Sequence, residues 1–289
     1  MIVRTIADLT PTISLVKNGS IGSRNRDLLA NRTPYGSVRI ENSFIPVHGV
    51  GEKTERRLWE RGVTHWDEFT GDAVGPTTAD RIETYISRAR THLDDGTFEF
   101  FAETVPTEHH WRLFENAGDG ACYLDIETTG LDRSRNDVTT VSVHQAGTTT
   151  TLVRGRDLTG SSLRSVLEDA SLLVTFNGRR FDVPFLEANY DVDVSVPHLD
   201  LYYPCRSLDL TGGLKTIERE LSIDRDRPDL TGRDAVRLWH EYERGDDAAL
   251  KTLVRYNRAD TENLATLATE ITDRLHETVF EAACRSQSV

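Results

Sequence analysis

Apolar positions between residues 41 and 119 recur at helical spacing, but only in short stretches broken by glycines and acidic turns. Glu52–Arg61 is one such stretch, stopped by Gly62. Thr64 caps a short turn with Asp67 three residues on. Thr77 or Thr78 opens a longer helix that runs to about Leu93 and ends at Asp94-Asp95-Gly96. Thr107 opens another through His109, Trp111 and Phe114. At Ala121 the period changes to two. Cys122–Ile126 is a short apolar run, and Val138–His144 and Thr148–Val153 alternate around Gln145-Ala146-Gly147, a hairpin composition. Helix and strand then take turns: Ser161–Leu167 helix, Leu172–Phe176 strand, Phe181–Asn189 helix, His198–Leu201 strand. Leu214–Leu221, Arg233–Glu243 and Asp247 to about Leu275 close the chain as helices. Three antiparallel strands followed by α/β alternation predict an α/β fold, a mixed sheet flanked by helices and preceded by a small all-α module. No internal repeat is present.

Charge divides the chain further. Residues 1–40 carry six basic and two acidic side chains, +4 in all, while residues 41–289 sum to −17. Gly, Ser, Asn and Pro punctuate Lys17–Ser37, which reads mostly as loop. The expected organisation is a basic extension over 1–40, a helical module over 41–119 and the sheet-containing domain over 120–289. The extension suits either packing on the body or contact with nucleic acid.

Composition narrows the setting. No apolar run approaches the ~18 residues of a membrane span, and Met1–Lys17 lacks the apolar core of a signal peptide, so the reading is cytoplasmic, with no membrane partner. Three cysteines with no C-x-x-C exclude a disulfide framework and a cysteine zinc site. The net charge is −13, and only four of the 34 Lys and Arg are lysines (Lys17, Lys53, Lys215, Lys251). Acidic surface with little lysine fits a cytoplasm at molar salt. A Debye length of about 3 Å at 1 M silences the mutual repulsion, and with it the usual argument from acidity against a nucleic-acid partner.

Three segments bring carboxylates to chemically useful places. In Tyr123-Leu124-Asp125-Ile126-Glu127-Thr128-Thr129-Gly130-Leu131, a strand turns Asp125 and Glu127 to one face and Leu124 and Ile126 to the core. Paired carboxylates at a strand end suit a hard divalent cation, yet about seven or eight acid-x-acid triplets arise by chance in a chain this acidic. In Phe176-Asn177-Gly178-Arg179-Arg180-Phe181-Asp182 a buried strand enters a Gly loop, and Asp182 opens a helix with Pro184 in its first turn. In Tyr256-Asn257-Arg258-Ala259-Asp260, Tyr256 and Asp260 share a helix face. Each alone is weak; their order within 140 residues is specific.

That ordered set resembles the DEDD exonucleases of the ribonuclease H-like superfamily, in the subgroup with Tyr rather than His before the last Asp. The resemblance spans roughly Ala121–Thr272. Val174–Leu186 also looks like the proofreading domains of B-family DNA polymerases. His198-Leu199-Asp200-Leu201, Gly213-Leu214-Lys215-Thr216-Ile217 and Arg237-Leu238-Trp239…Gly245-Asp246-Asp247 are similar to the YprB-like branch. The resemblance implies a 3′→5′ exonuclease acting on single-stranded DNA or RNA with two divalent cations, Mg²⁺ or Mn²⁺. It places Asp125, Glu127 and Asp260 on one ion, with Asp125 and, through water, Asp182 on the other. One ion lowers the pKa of an attacking water and the other stabilises the leaving 3′ oxygen. Tyr256 would orient that water, and Thr128, Gly130 and Leu131 would seat the terminal nucleotide. Asn177 shapes its loop or touches substrate. Asp200 reads as structural, and His109-His110 as helix surface or core.

Phe44-Ile45-Pro46-Val47-His48-Gly49-Val50-Gly51-Glu52-Lys53-Thr54 resembles a helix-hairpin-helix. There Gly49 and Gly51 would let backbone amides approach a DNA phosphate and Lys53 would add a point charge. Residues 41–119 are themselves −8, and a Gly-x-Gly turn also precedes helices that bind nothing, so a packing role stands beside the nucleic-acid role. Trp59 and Trp66 read as core. The alternative to an enzyme is a nucleic-acid-binding protein or a subunit of a larger assembly.

Overall fold

The computed structural model describes residues 38–190, 192–225 and 229–285. The extension expected over residues 1–40 therefore lies outside the described residues up to position 37.

The chain enters through helix α1 (Glu52–Trp59), whose last turn closes on Gly62 at φ +85°, with Val63 N–H reaching Leu58 O at 3.0 Å. The following turn is fixed by Glu68 rather than Asp67: its carboxylate accepts from Thr64 N at 2.6 Å and His65 N at 3.0 Å. Helix α2 (Pro76–Asp94) starts ahead of Thr77 because Pro76 arrives with its φ already helical and has no N–H to satisfy. Helix α3 (Glu99–Thr104) is too short for its period to show in the sequence. Thr107–Leu113 winds as 3₁₀ turns. Trp59 and Trp66 are buried, their ring N–H groups donating to Asn42 O and Ser43 O, each at 2.8 Å.

Five strands follow: β1 (Ala121–Thr128), β2 (Val138–Gln145), β3 (Thr148–Val153), β4 (Leu172–Thr175) and β5 (His198–Asp200). They lie in the order β3-β2-β1-β4-β5, antiparallel from β1 to β3 and parallel through β4 and β5. Connection length dictates this mixture. Ala146 and Gly147, both at positive φ, make a two-residue hairpin. The parallel strands are reached through crossovers, β4 by way of α4 (Gly160–Leu167) and β5 by way of α5 (Asp182–Tyr190). Among the described residues the helices α6 (Tyr202–Ser207), α7 (Leu214–Glu220), α8 (Gly232–Glu243) and α9 (Asp247–Leu275) come next, and α9 runs on through a π-helical segment (His276–Glu281) into a last short helix (Ala282–Arg285).

Alternation along β1 decides what each face of the sheet meets. Cys122, Leu124 and Ile126 pack with Leu163, Phe185 and Leu186 beneath α4 and α5. The opposite face, with Ala121, Leu172 and Val174, lies against α9 through Leu264, Leu267, Ala268 and Ile271. That same apolar cluster runs on without a break into Phe44, Trp59, Ile82 and Phe101 of the N-terminal helices. A third cluster joins α8 to the first half of α9 through Leu238, Trp239, Leu250 and Leu253. The β1–β2 register slips between Glu127 and Thr128, so a bulge ends the ladder where the strand delivers its carboxylates.

Candidate metal centre

Asp125 and Glu127 leave β1 on the face opposite Leu124 and Ile126, toward α9. Helix α9 begins on the Asp246 carboxylate, which accepts from Ala248 N at 2.9 Å and Ala249 N at 3.3 Å. Its buried stripe (Leu253, Tyr256, Asn257, Asp260, Thr261, Leu264) recurs at three- and four-residue steps, so the polar members ride on the face that packs against the sheet. The result is a cluster: carboxylate oxygens of Asp125, Glu127 and Asp260 all lie within 4.8 Å of one another. Asp182 is not a member, but it adjoins. From the start of α5 its Oδ1 accepts the N–H of Ile126, the residue between Asp125 and Glu127, at 3.2 Å.

Crowding of buried and half-buried carboxylates sets the electrostatics. Burial pushes Asp125 up to about 7, against the lowering effect of its Asn257 hydrogen bond and of Arg225. Burial raises Glu127 well above the usual carboxylate range, and the charges of Asp125 and Asp182 raise it further. Asp182 is raised by burial and by Asp125, while its backbone hydrogen bonds oppose the shift. Tyr256 is raised by burial and by Glu127 and Asp125, so its phenol keeps its proton. Three converging hard oxygen donors fit a divalent cation such as Mg²⁺ or Mn²⁺.

The sequence reading gives no role to four residues that the structure brings to this site. Asn257 Nδ2 donates to Asp125 Oδ2 at 2.6 Å and to Asp125 O at 3.1 Å, fixing that carboxylate's direction. It stands inside the Tyr-x-x-x-Asp motif, three residues before Asp260, where helical spacing alone marks it as sharing the face. Arg225 pairs with both Asp260 and Glu218, and Glu218 is fully buried on α7, with Asn263 Nδ2 donating to it at 3.1 Å. Lys215 lies over the Tyr256 ring. These three come from α7 and the segment after it; Lys215 stands in the Gly213–Ile217 stretch that carries the resemblance, but no local spacing places any of the three beside Tyr256 or Asp260.

The remaining expected site residues lie as follows. Thr128 Oγ1 donates to Gly130 O at 2.7 Å at the end of β1. A Cβ on Gly130 would meet Asn136 Oδ1 at 2.5 Å, so any larger residue there would have to push the Asn136 side chain aside. Leu131 stands 86% exposed beside them. Asn177 adopts φ +63° and its N–H donates to Asp200 Oδ1 at 2.6 Å. Asp200 also accepts from Arg179 N and Tyr202 N, each at 3.1 Å, which makes it the clamp of that loop. His109 and His110 are buried, with His110 against the backbone of Val105 and His198. Away from the cluster, Gly49 takes φ +93°, Gly51 stands at the N-cap of α1, and Lys53 is exposed in its first turn.

The site and the sheet together describe a class: a mixed five-stranded sheet presenting carboxylates to a long helix. The RNase_H superfamily family RNase_H_2 matches residues 122–272, and the chain belongs to that superfamily. No curated protein matches the sequence. Among solved structures, the family B DNA polymerase from the hyperthermophilic archaeon Pyrobaculum calidifontis aligns at 18% identity and a TM-score of 0.46, over 55% of this chain and 25% of the polymerase. The apo form of a nuclease aligns at 21% identity and a TM-score of 0.41, over 58% of this chain and 80% of that one. The alignment thus spans only a quarter of the polymerase's length.

Proposed function

We propose that this chain is a metal-dependent exonuclease of the DEDDy type, YprB-like, which removes 5′-mononucleotides from single-stranded DNA or RNA in the 3′→5′ direction. The observation that carries the reading is the meeting of Asp125 and Glu127 from β1 with Asp260 from α9, all within 4.8 Å. Asp182 beside them and Tyr256 one turn before Asp260 complete the set.

Asp125, Glu127 and Asp260 would hold Mg²⁺ or Mn²⁺, and Asp182 would serve a second ion with Asp125. Divalent cations bound there would supply Lewis-acid charge at the phosphodiester and a more acidic water. The protein's own part is positioning. Asn257 aims Asp125 into the cluster, and Tyr256, protonated and buried, directs its hydroxyl at the attacking water. Thr128, Gly130 and Leu131 seat the terminal nucleotide, and the Asp200 clamp keeps the Asn177 loop in shape. Residues 41–119, with Gly49, Gly51 and Lys53 at the mouth of α1, act as a helix-hairpin-helix-like module beside the exonuclease domain over 120–289. The acidic, lysine-poor composition suits work in a high-salt cytoplasm.

The test uses a single strand labelled at its 5′ end, molar KCl and Mn²⁺, with wild type beside Asp125→Asn. A descending ladder lost in the variant is expected. Equal digestion by both proteins ends the assignment.

A further inference from the structure

Lys215, on the first turn of α7, has its ammonium buried with no hydrogen-bond partner among the described residues. An ammonium carries three donors, and leaving them unmet away from water is costly. The nearest groups do not meet them. The Tyr256 ring centroid lies 4.8 Å from Nζ, and Glu127, Glu218 and Asp234 act on it only through their charge. Arg225, the other cation of the site, is already engaged by Asp260 and Glu218. One cation of the centre is therefore committed to protein carboxylates, and the other is held beside Tyr256 and Glu127 with its donors unassigned. The chain has 30 arginines and four lysines, yet this position carries the compact point charge rather than the planar fork.

We propose that Lys215 is a substrate contact, its ammonium donating to a non-bridging oxygen of the terminal phosphodiester next to Tyr256. The inference rests on the exonuclease reading for the identity of that phosphate. A purely structural cation, one that only offsets the carboxylate cluster, would behave differently toward a substrate whose phosphate has lost its charge.

The experiment is a cycle of two proteins and two ligands, read as binding in EDTA by fluorescence anisotropy. Wild type and Lys215→Met are each titrated with a single-stranded oligonucleotide, normal or carrying a methylphosphonate at its 3′-terminal linkage. For the normal strand, Lys215→Met should weaken binding by about 10- to 100-fold, the range of a charge-assisted hydrogen bond. It should also lower the slope of log K against log salt by about 0.7, one phosphate contact on a single strand. For the methylphosphonate strand the two proteins should bind alike, and Lys215→Arg should recover part of the loss on the normal strand. Equal binding of the normal strand by wild type and Lys215→Met overturns the proposal, as does a Lys215→Met deficit that persists against methylphosphonate. Cleavage with Mn²⁺, compared with Asp125→Asn, is read separately. If neither protein cuts, the exonuclease reading fails while the binding cycle still decides whether Lys215 touches phosphate.

Discussion

Taking one charge out of the carboxylate cluster should stabilise the metal-free protein at neutral pH. Asp125 is held at about 7, whereas an unfolded chain titrates its aspartates near 3.9. The folded state therefore binds this proton more tightly. Its contribution is fully present below pH ~4 and is lost as the pH rises through ~7. About three pH units at about 1.4 kcal/mol each make about 4 kcal/mol. In a chain of this size about 2 °C of Tm follows each kcal/mol, so the loss is about 8 °C. Glu127 and Asp182 are raised in the same sense and lean on Asp125, so they enlarge the effect. Asp125→Asn removes the titration while its amide oxygen still accepts from Asn257. Scanning calorimetry of both proteins in EDTA, from pH ~5 to ~8, covers about two of those three units and should show wild type losing about 5 °C more than the variant. Mg²⁺ added at the alkaline end should restore wild type and leave the variant little changed. Parallel Tm curves for the two proteins would refute the reasoning, because they would mean that Asp125 is not held above its ordinary range.

Other perturbations follow from single contacts. Asn257→Ala frees the Asp125 carboxylate and should weaken Mn²⁺ binding about 10- to 100-fold by titration calorimetry, with unchanged affinity as the contrary result. Arg112→Met leaves Glu55 buried without the 2.9 Å partner it now has, and urea unfolding should show a loss of about 3–5 kcal/mol. Gly178→Ala places a Cβ 2.3 Å from Thr175 Oγ1, which is itself held by His198 at 2.7 Å, so a destabilisation of about 1–3 kcal/mol is expected in the same assay. A neutral result there would mean that the 177–179 loop yields more easily than its Asp200 clamp implies.

Two backbone periods made much of the centre readable from the amino acids. Asp125 and Glu127 share a face because strands repeat every two residues, and Tyr256 and Asp260 share one because helices repeat every 3.6. Local chemistry also located the hairpin at Ala146-Gly147 and the start of the long helix near Asp246. What stayed hidden was tertiary. Arg225, Glu218 and Lys215 reach the centre because α7 and the segment after it pack against α9, and no spacing encodes that packing. The N-terminal turns slipped for a different reason. Capping signals compete over a residue or two, so Pro76 displaced Thr77 as the start of its helix and Glu68 displaced Asp67 as the cap of its turn.

Helix α9 runs 29 residues, about 44 Å, and its two halves serve different neighbours. The first bears Tyr256, Asn257 and Asp260. The second, with its continuation to Phe280, is seated among the N-terminal helices, where Trp59 meets the Phe280 ring edge-on at 5.1 Å. Hydrogen exchange should therefore find α1 and the whole of α9 opening as one cooperative block. The carboxylates are only as rigid as helices that carry none of them. Loosening Trp59 would degrade the centre from a distance, as a loss of preorganisation with every ligating side chain still in place.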